Sequence, residues 1–262
     1  MSLDSPRLLF RKIAPVRLSR ALWGERDRWG PVPDTSDSTW LEWCEMSGEF
    51  YDQTQKQGIG RLVNDAGYKV MRRINLDGRR MLEVGPGSIR HTKYWRGVPQ
   101  HVHLVDVDER MGERGASALR SLGVDHTVHV VDVGQRLPLA DSSVDVVVAF
   151  YSLEHIYPLA NQLREFSRVL APDGILIGAI PTEGGLAWGL GRLLTSRRWL
   201  RRNTSIDPDK LICWEHPNFA DHVLHELDAE FEKRHTQVWP IRPIRMIDVN
   251  LIVSFVHRRK AL

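Results

Sequence analysis

The chain has 262 residues, of which 36 are Lys or Arg and 33 are Asp or Glu, giving a net charge of +3. So small a charge gives no electrostatic case for nucleic-acid binding, and 42% hydrophobic with 26% charged residues is the composition of a soluble globular protein with an ample core. Cys44 and Cys213 form no Cys-x-x-Cys pattern, no apolar run reaches the roughly 18–20 residues of a membrane span, and Met1–Leu9 does not read as a signal peptide; together these argue against a disulfide scaffold or cysteine zinc site and for a cytoplasmic protein.

Residues 1–40 are rich in Arg, Pro and Trp, with Arg7, Arg11, Lys12, Arg17 and Arg20 set among Leu and Phe. They read as an irregular arm lying on the main domain, or as a basic amphipathic segment. Across 41–76 the apolar residues Ile59, Leu62, Val63, Ala66, Val70 and Ile74 recur at steps of three and four, predicting helix up to the turn at Asp77-Gly78. Beyond Gly78 short apolar runs alternate with helical stretches. The runs are Met81–Val84, Val102–Val105, Val128–Val131, Val144–Ala149 and Ile175–Ile180, and helices are expected at 108–122, 159–170 and 219–230. Fully apolar strands alternating with helices predict a parallel, doubly wound α/β sheet with both faces covered. Two last runs, His235–Trp239 and Val249–Val256, predict a closing antiparallel pair.

Ligands of such sheets bind beyond the carboxyl ends of the strands, so the residues following each run are the candidates. The first run ends in Glu83-Val84-Gly85-Pro86-Gly87. Two glycines permit a tight turn and close backbone approach, but a dinucleotide fingerprint needs a third glycine where this chain has Arg90, and Pro86 removes a backbone N–H that a pyrophosphate would use. Glu83 favours a cationic ligand. Asp106, nineteen residues after Gly87, has the separation expected of an acid that holds ribose hydroxyls, whereas Asp108 reads as the cap of the following helix. Asp132, after the third run, is placed to accept from an amino group. The fourth run leads into Tyr151-Ser152-Leu153-Glu154-His155, and a turn, Leu170-Ala171-Pro172-Asp173-Gly174, precedes the fifth.

This ordered series resembles the class I S-adenosylmethionine (SAM)-dependent methyltransferases of the methyltransferase type 11 kind. The resemblance rests on Glu83-Val84-Gly85-Pro86-Gly87, Val105-Asp106-Val107-Asp108, Asp132, Leu137-Pro138-Leu139, Asp145-Val146-Val147-Val148, Leu153-Glu154-His155 and Val169-Leu170-Ala171-Pro172-Asp173-Gly174. It implies a Rossmann-like seven-stranded sheet with the last strand antiparallel, and SAM as cofactor with S-adenosylhomocysteine as product. Gly85 and Gly87 would then lie against the methionine part, Asp106 would hold the ribose, Asp132 with Val133 would face the adenine and Tyr151 would sit near the methionine end, with Glu83, Pro86 and Val107 also among the cofactor-binding residues. One departure is Ile89, where the family usually has a third glycine.

Methyl transfer to a hydroxyl needs a base, and His155, with Glu154 beside it, is the candidate pair. A divalent metal on Asp132, Glu154 and Asp173 is conceivable for a sugar acceptor but is not predicted, and His216, His222 and His225 are expected to be ordinary helix histidines rather than a zinc site. The expected organisation is an N-terminal arm and lid at 1–54 and a methyltransferase domain at 55–262, with an acceptor-side helical insert at 182–218. That insert carries Trp188, Trp199 and Trp214 with Arg192, Arg197, Arg198, Arg201 and Arg202, and it resembles inserts of bacterial polysaccharide and glycolipid methyltransferases. The expected acceptor is therefore a saccharide or glycolipid hydroxyl. A lipid, quinone or other small metabolite is the runner-up, and a catalytically silent SAM-binding protein the alternative from another class. Peripheral membrane contact, through the insert's Arg and Trp residues, and a homodimer are compatible with the sequence; a nucleic-acid partner is not expected.

Overall fold

The computed structural model describes residues 6–55, 58–131 and 135–260, without the side chains of 49, 51–55, 58 and 59. The arm is not irregular. It forms three short helices, α1 (Phe10–Ile13), α2 (Val16–Trp23) and α3 (Arg26–Trp29), and then α4 (Ser38–Gln55) and α5 (Gly58–Tyr68). The remaining elements in chain order are β1 (Arg80–Val84), β2 (His101–Asp106), α6 (Glu109–Ser121), β3 (His126–Val130), β4 (Val144–Phe150), α7 (Leu159–Val169), β5 (Leu170–Pro181), α8 (Leu186–Leu194), α9 (Ser196–Asn203), α10 (Pro208–Glu215), α11 (Ala220–Glu230), β6 (Phe231–Trp239) and β7 (Ile252–Arg259).

The seven strands run in the order β3-β2-β1-β4-β5-β7-β6. Strands β1 to β5 pair in parallel, and β7 is antiparallel to both neighbours. Residue alternation sorts the core into two faces. Leu82, Val147 and Ala149 join a cluster with Phe166 of α7 and Leu227 of α11, while Met81, Val146 and Val148 join one with Val63 of α5 and Leu119 of α6. Central strands therefore carry apolar side chains on both faces, which is why they read as unbroken apolar runs.

The boundaries differ from expectation where a side chain competes with the ladder. β7 begins at Ile252 rather than Val249 because buried Asn250 holds the preceding loop: its amide donates to the Ile244 and Met246 carbonyls and its oxygen accepts from Ile241 N. β5 already pairs at Leu170, with a register shift opposite Val144 and Val146, so the expected turn is an irregularity within the strand; the left-handed residue there is Asp173 (φ 62°) rather than Gly174. In α5, Leu62 of the predicted stripe faces solvent while Gly67 is buried. Between β3 and β4 no helix occurs among the described residues, which leaves the face carrying His101, His103 and His129 partly open. Among the described residues no helix is long and apolar enough to cross a membrane.

Candidate active site

The strand order reverses between β1 and β4, and a cavity of about 930 Å³ opens at the carboxyl ends of β1, β2 and β4. Glu83, Gly85, Pro86, Gly87, Asp106, Val107, Tyr151, Glu154 and His155 all line it. Asp132 and Val133 lie outside the described residues.

The loop after β1 is shaped by its glycines. Gly85 has φ 67°, and a β-carbon there would come 3.0 Å from Cβ of Ser152; Gly87 has φ 46°. Pro86 packs against α6, where only a glycine, Gly115, leaves room for it. Ile89, the departure from the family loop, is itself left-handed (φ 40°) and buried. Such a conformation costs a β-branched residue on the order of 1–3 kcal/mol, and burial of its side chain beneath α6 offsets that. The chain continues into a 3₁₀ turn, Arg90–Tyr94, in place of a full α-helix.

That turn delivers a residue the sequence reading missed. His91 is buried, and its Nε2 lies 3.1 Å from Oε1 of Glu83. Trp95 Nε1 donates to His91 Nδ1 at 2.9 Å, so the ring is neutral and Nε2–H donates to Glu83. The other Glu83 oxygen, Oε2, is buried without a partner, and burial pushes the carboxyl up. The sequence signal was the His91–Trp95 spacing of four residues, which the short turn brings together.

Asp106 closes β2, and one of its oxygens accepts from Asp108 N at 2.9 Å. Burial pushes its carboxyl up, backbone N–H groups opposing. Asp108 is the helix cap expected, accepting from Arg110 N at 2.9 Å. Tyr151 is left-handed (φ 55°) and donates its hydroxyl to the Asn64 carbonyl at 2.8 Å, over Gly67, so its ring but not its hydroxyl is left for the cavity.

The turn after β4 carries Glu154 and His155. Asn218, buried at the end of the insert, donates its side-chain amide to the carbonyls of Leu153 (3.1 Å) and Ile156 (2.6 Å) and its backbone N–H to that of Glu154 (3.3 Å). His155 Nδ1 lies 2.5 Å from the Glu215 carbonyl, to which it donates; in the neutral ring Nε2 is therefore the free acceptor. Oε1 of Glu154 is 3.9 Å from Nε2, and Oε2 of Glu154 is buried without a partner. Burial pushes the Glu154 carboxyl up to about 7, the nearby His155 opposing.

Behind this turn lies a second buried carboxylate. Glu183 accepts from Trp188 Nε1 (2.7 Å) and Arg192 (3.1 Å) and pairs with His216 Nδ1 (2.9 Å). Burial alone would raise it, but Arg192, His216 and Arg26 outweigh burial and hold it below the ordinary carboxylate range. His216 meets the His155 ring edge-on at 4.6 Å.

The acceptor end is walled by Trp40 and Trp43 of α4, Trp188 of α8, and Trp214 of α10, with Glu215 accepting from Trp43 Nε1 at 2.7 Å. Arg192 is bound to Glu183, and Arg197 and Arg201 to Asp209, so the insert's arginines turn away; among the described residues none of them lines the cavity.

A family described as a methyltransferase domain matches residues 82–178. That match to a methyltransferase domain covers a little over a third of the chain. It is similar to the ubiquinone/menaquinone biosynthesis C-methyltransferase of Vibrio vulnificus, 29% identical over 145 residues that make up 51% of this chain and 56% of that protein. Against the corresponding Pasteurella multocida enzyme it is 30% identical over 120 residues, 42% and 45% of the two chains. The chain spans about half the length of the curated relatives it matches. Among solved structures, the N-methyltransferase NodS of Bradyrhizobium japonicum, in complex with S-adenosyl-L-homocysteine, aligns over 86% of this chain and 100% of its own, with TM-score 0.57 and 13% identity. A SAM-dependent methyltransferase from Aquifex aeolicus aligns over 81% and 98%, with TM-score 0.52 and 17% identity. At these identities the solved structures establish the fold.

SAM is the cofactor of class I methyltransferases, whose fold this chain shares, and the residues lining this cavity fit it. An orphaned buried carboxylate oxygen on Glu83 suits the ammonium of a cationic amino acid, the Gly85 turn leaves space that a β-carbon would fill, and Asp106 lines the cavity at the end of the adjacent strand. The site subsumes the glycine loop, the second-strand acid and the Leu-Glu-His turn of the sequence reading, and adds His91, Trp95, Glu183, Glu215, His216 and Asn218.

Proposed function

We propose that the protein is a SAM-dependent methyltransferase whose acceptor is a hydroxyl-bearing aromatic small molecule of the phenol or quinol class. The observation that carries this reading is the pairing, inside a tryptophan-walled cavity, of Glu154, a buried carboxyl with one oxygen, Oε2, lacking a partner, with a histidine, His155, whose Nε2 is a free acceptor. Glu83 would hold the ammonium end of SAM, Gly85 and Gly87 its methionine backbone, and Asp106 its ribose. When bound, SAM supplies an electrophilic methyl group.

The protein's own part is to orient and deprotonate. His155 is held by the Glu215 carbonyl with Nε2 ready to take the acceptor's proton. Glu154, protonated near neutral pH and ionised just above it, sits beside the imidazolium so formed and stabilises it. A base of this kind contributes roughly 10²–10⁴-fold. The tryptophans suit a flat ring, and the withdrawal of the insert's arginines from the cavity disfavours a phosphorylated acceptor.

A second reading, methylation of a saccharide or glycolipid hydroxyl, is favoured by one feature: Glu215 lies among Trp40, Trp43 and Trp214, an arrangement that also suits sugar rings and their hydroxyls. Calorimetry with SAM and S-adenosylhomocysteine, followed by a labelled-methyl screen of phenols and quinols against saccharides, separates them. Methylation of a phenol or quinol is expected; label entering only saccharides would give the second reading, and failure to bind SAM would overturn both.

A further inference from the structure

Three segments of the chain contain no acidic residue: 6–24, 184–206 and 240–247. They hold Arg7, Arg11, Lys12, Arg17 and Arg20; Arg192, Arg197, Arg198, Arg201 and Arg202; and Arg242 and Arg245, twelve positive charges in all. The rest of the chain then has 24 basic against 33 acidic residues, a balance of −9. The small net charge therefore conceals a strongly polarised molecule.

The fold stitches these segments together. Leu22 and Trp23 of α2 lie against Gly189 of α8, and Arg197 donates to the Ala21 carbonyl. Gly185 backs onto the Ile247 carbonyl, Arg7 N donates to the Arg245 carbonyl at 3.1 Å and Ile247 N to that of Arg7 at 2.8 Å. Arg11, Arg192, Arg197 and Arg201 meet carboxylates just outside the segments. Lys12, Arg17, Arg198, Arg202 and Arg242 have no partner among the described residues.

The same segments expose large apolar side chains. Ile13 is 77% exposed, Leu194 68% and Val16 66%, and Leu9, Leu190 and Ile244 are exposed as well. On α8 the outward stripe Ala187–Leu190–Gly191–Leu194 ends where the basic helix α9 begins. Lys and Arg without carboxylate partners around solvent-exposed Leu, Ile and Val are the chemistry of a surface that meets anionic lipid: the cations face headgroups and the apolar tips enter the acyl boundary.

We propose that α1, α2, α8, α9 and the 240–247 loop form a docking face for an anionic bilayer surface. The excess negative charge on the rest of the molecule disfavours any other orientation. Trp188, two residues before Leu190, lines the cavity, so the docked face adjoins the acceptor end. A nucleic acid would use the same cations but gains nothing from exposed Ile13, Val16 and Leu194.

The test is vesicle flotation of the full chain with phosphatidylcholine alone and with about one-third phosphatidylglycerol added. Binding to the anionic vesicles only is expected, weakened at least about tenfold in about 0.5 M NaCl, where the Debye length is ~4 Å. The double variants Arg198→Glu/Arg202→Glu and Ile13→Asn/Leu194→Asn should each weaken binding about tenfold while thermal unfolding stays at the wild-type temperature. These residues lie outside the catalytic cavity, so SAM binding is a second control on folding. No binding to anionic vesicles overturns the proposal. So does full binding by Ile13→Asn/Leu194→Asn, which would mean charge contact without insertion, and so does displacement of the chain from vesicles by RNA at equal charge concentration.

Discussion

Replacing Glu154 by Gln keeps the shape of the side chain and removes its ability to ionise, and the consequence for stability follows from its burial. Glu154 is 2% exposed, Oε2 has no partner, and burial pushes the carboxyl from the ordinary 4.5 up to about 7. At about 1.4 kcal/mol per pH unit this corresponds to roughly 3 kcal/mol. Because the folded-state value is raised, the folded protein binds the proton more tightly than the unfolded chain does. Below about pH 4.5 both states are protonated and there is no cost. Between about 4.5 and 7 the cost accumulates, and above 7 it is complete. The Glu154→Gln protein should therefore unfold like wild type near pH 4.5 and be more stable at pH 8 by up to roughly 3 kcal/mol, or about 6–12 °C in Tm for a chain of this size. Thermal unfolding of both proteins at the two pH values measures it. An equal displacement of Tm at both would show that the Glu154 carboxylate is not held out of water, and the account of its role beside His155 would fall with it.

His155→Ala should leave SAM affinity unchanged in calorimetry while lowering turnover on a hydroxyl acceptor roughly 10²–10⁴-fold, and turnover equal to wild type would remove His155 as the base. In Gly67→Ala the new β-carbon would lie 2.2 Å from the Tyr151 hydroxyl and 2.7 Å from Ala179 Cβ, so a loss of about 1–3 kcal/mol is expected in urea unfolding; unchanged stability would refute the close docking of α5 on β4 and β5. His103, lowered to about 4 by burial and then by His101 and His129, is neutral in the folded state when the unfolded chain already titrates near 6.5. Its contribution to stability is complete above about pH 6.5 and is lost as pH falls toward 4, and His103→Gln should flatten the urea midpoint over that interval.

The sheet was legible because its central strands are buried on both faces and must be apolar without interruption. The run Val146-Val147-Val148 puts alternate residues into opposite clusters, as a strand covered on both faces requires. That Glu83, Gly85, Gly87 and Asp106 would gather at one cavity was legible because the residues ending neighbouring parallel strands lie side by side. What escaped depends on contacts between distant segments. Nothing local tells that Glu83 will find its partner in His91, since an α-helix after the loop would have carried that side chain elsewhere; Ile89 in a left-handed conformation and a 3₁₀ turn bring it back. The five arginines of the insert read as facing water or meeting an acceptor, yet three of them bind carboxylates eight to twelve residues away in the chain, buried Glu183 and partly buried Asp209, which were not weighed as partners.

The matched family segment, 82–178, contains Glu154 and His155 but none of the four tryptophans that wall the acceptor end. Even those two are positioned from outside it, by the Glu215 carbonyl and the Asn218 amide. Glu215 and Asn218 belong to the return of the insert, and that return is clamped by Arg26 of the arm, which donates to the His216 and Pro217 carbonyls at 2.7 and 3.0 Å. Burial lowers the Arg26 guanidinium to about 10, and Glu183 partly restores it. Arm, insert and the Glu154–His155 turn are therefore joined by direct hydrogen bonds: a change in the α8–α10 segment that shifts Glu215 would alter both the wall facing the acceptor and the orientation of the imidazole that would deprotonate it. Under the proposed mechanism, acceptor choice and proton abstraction would be coupled through one stretch of chain, 214–218, which lies outside the matched family segment.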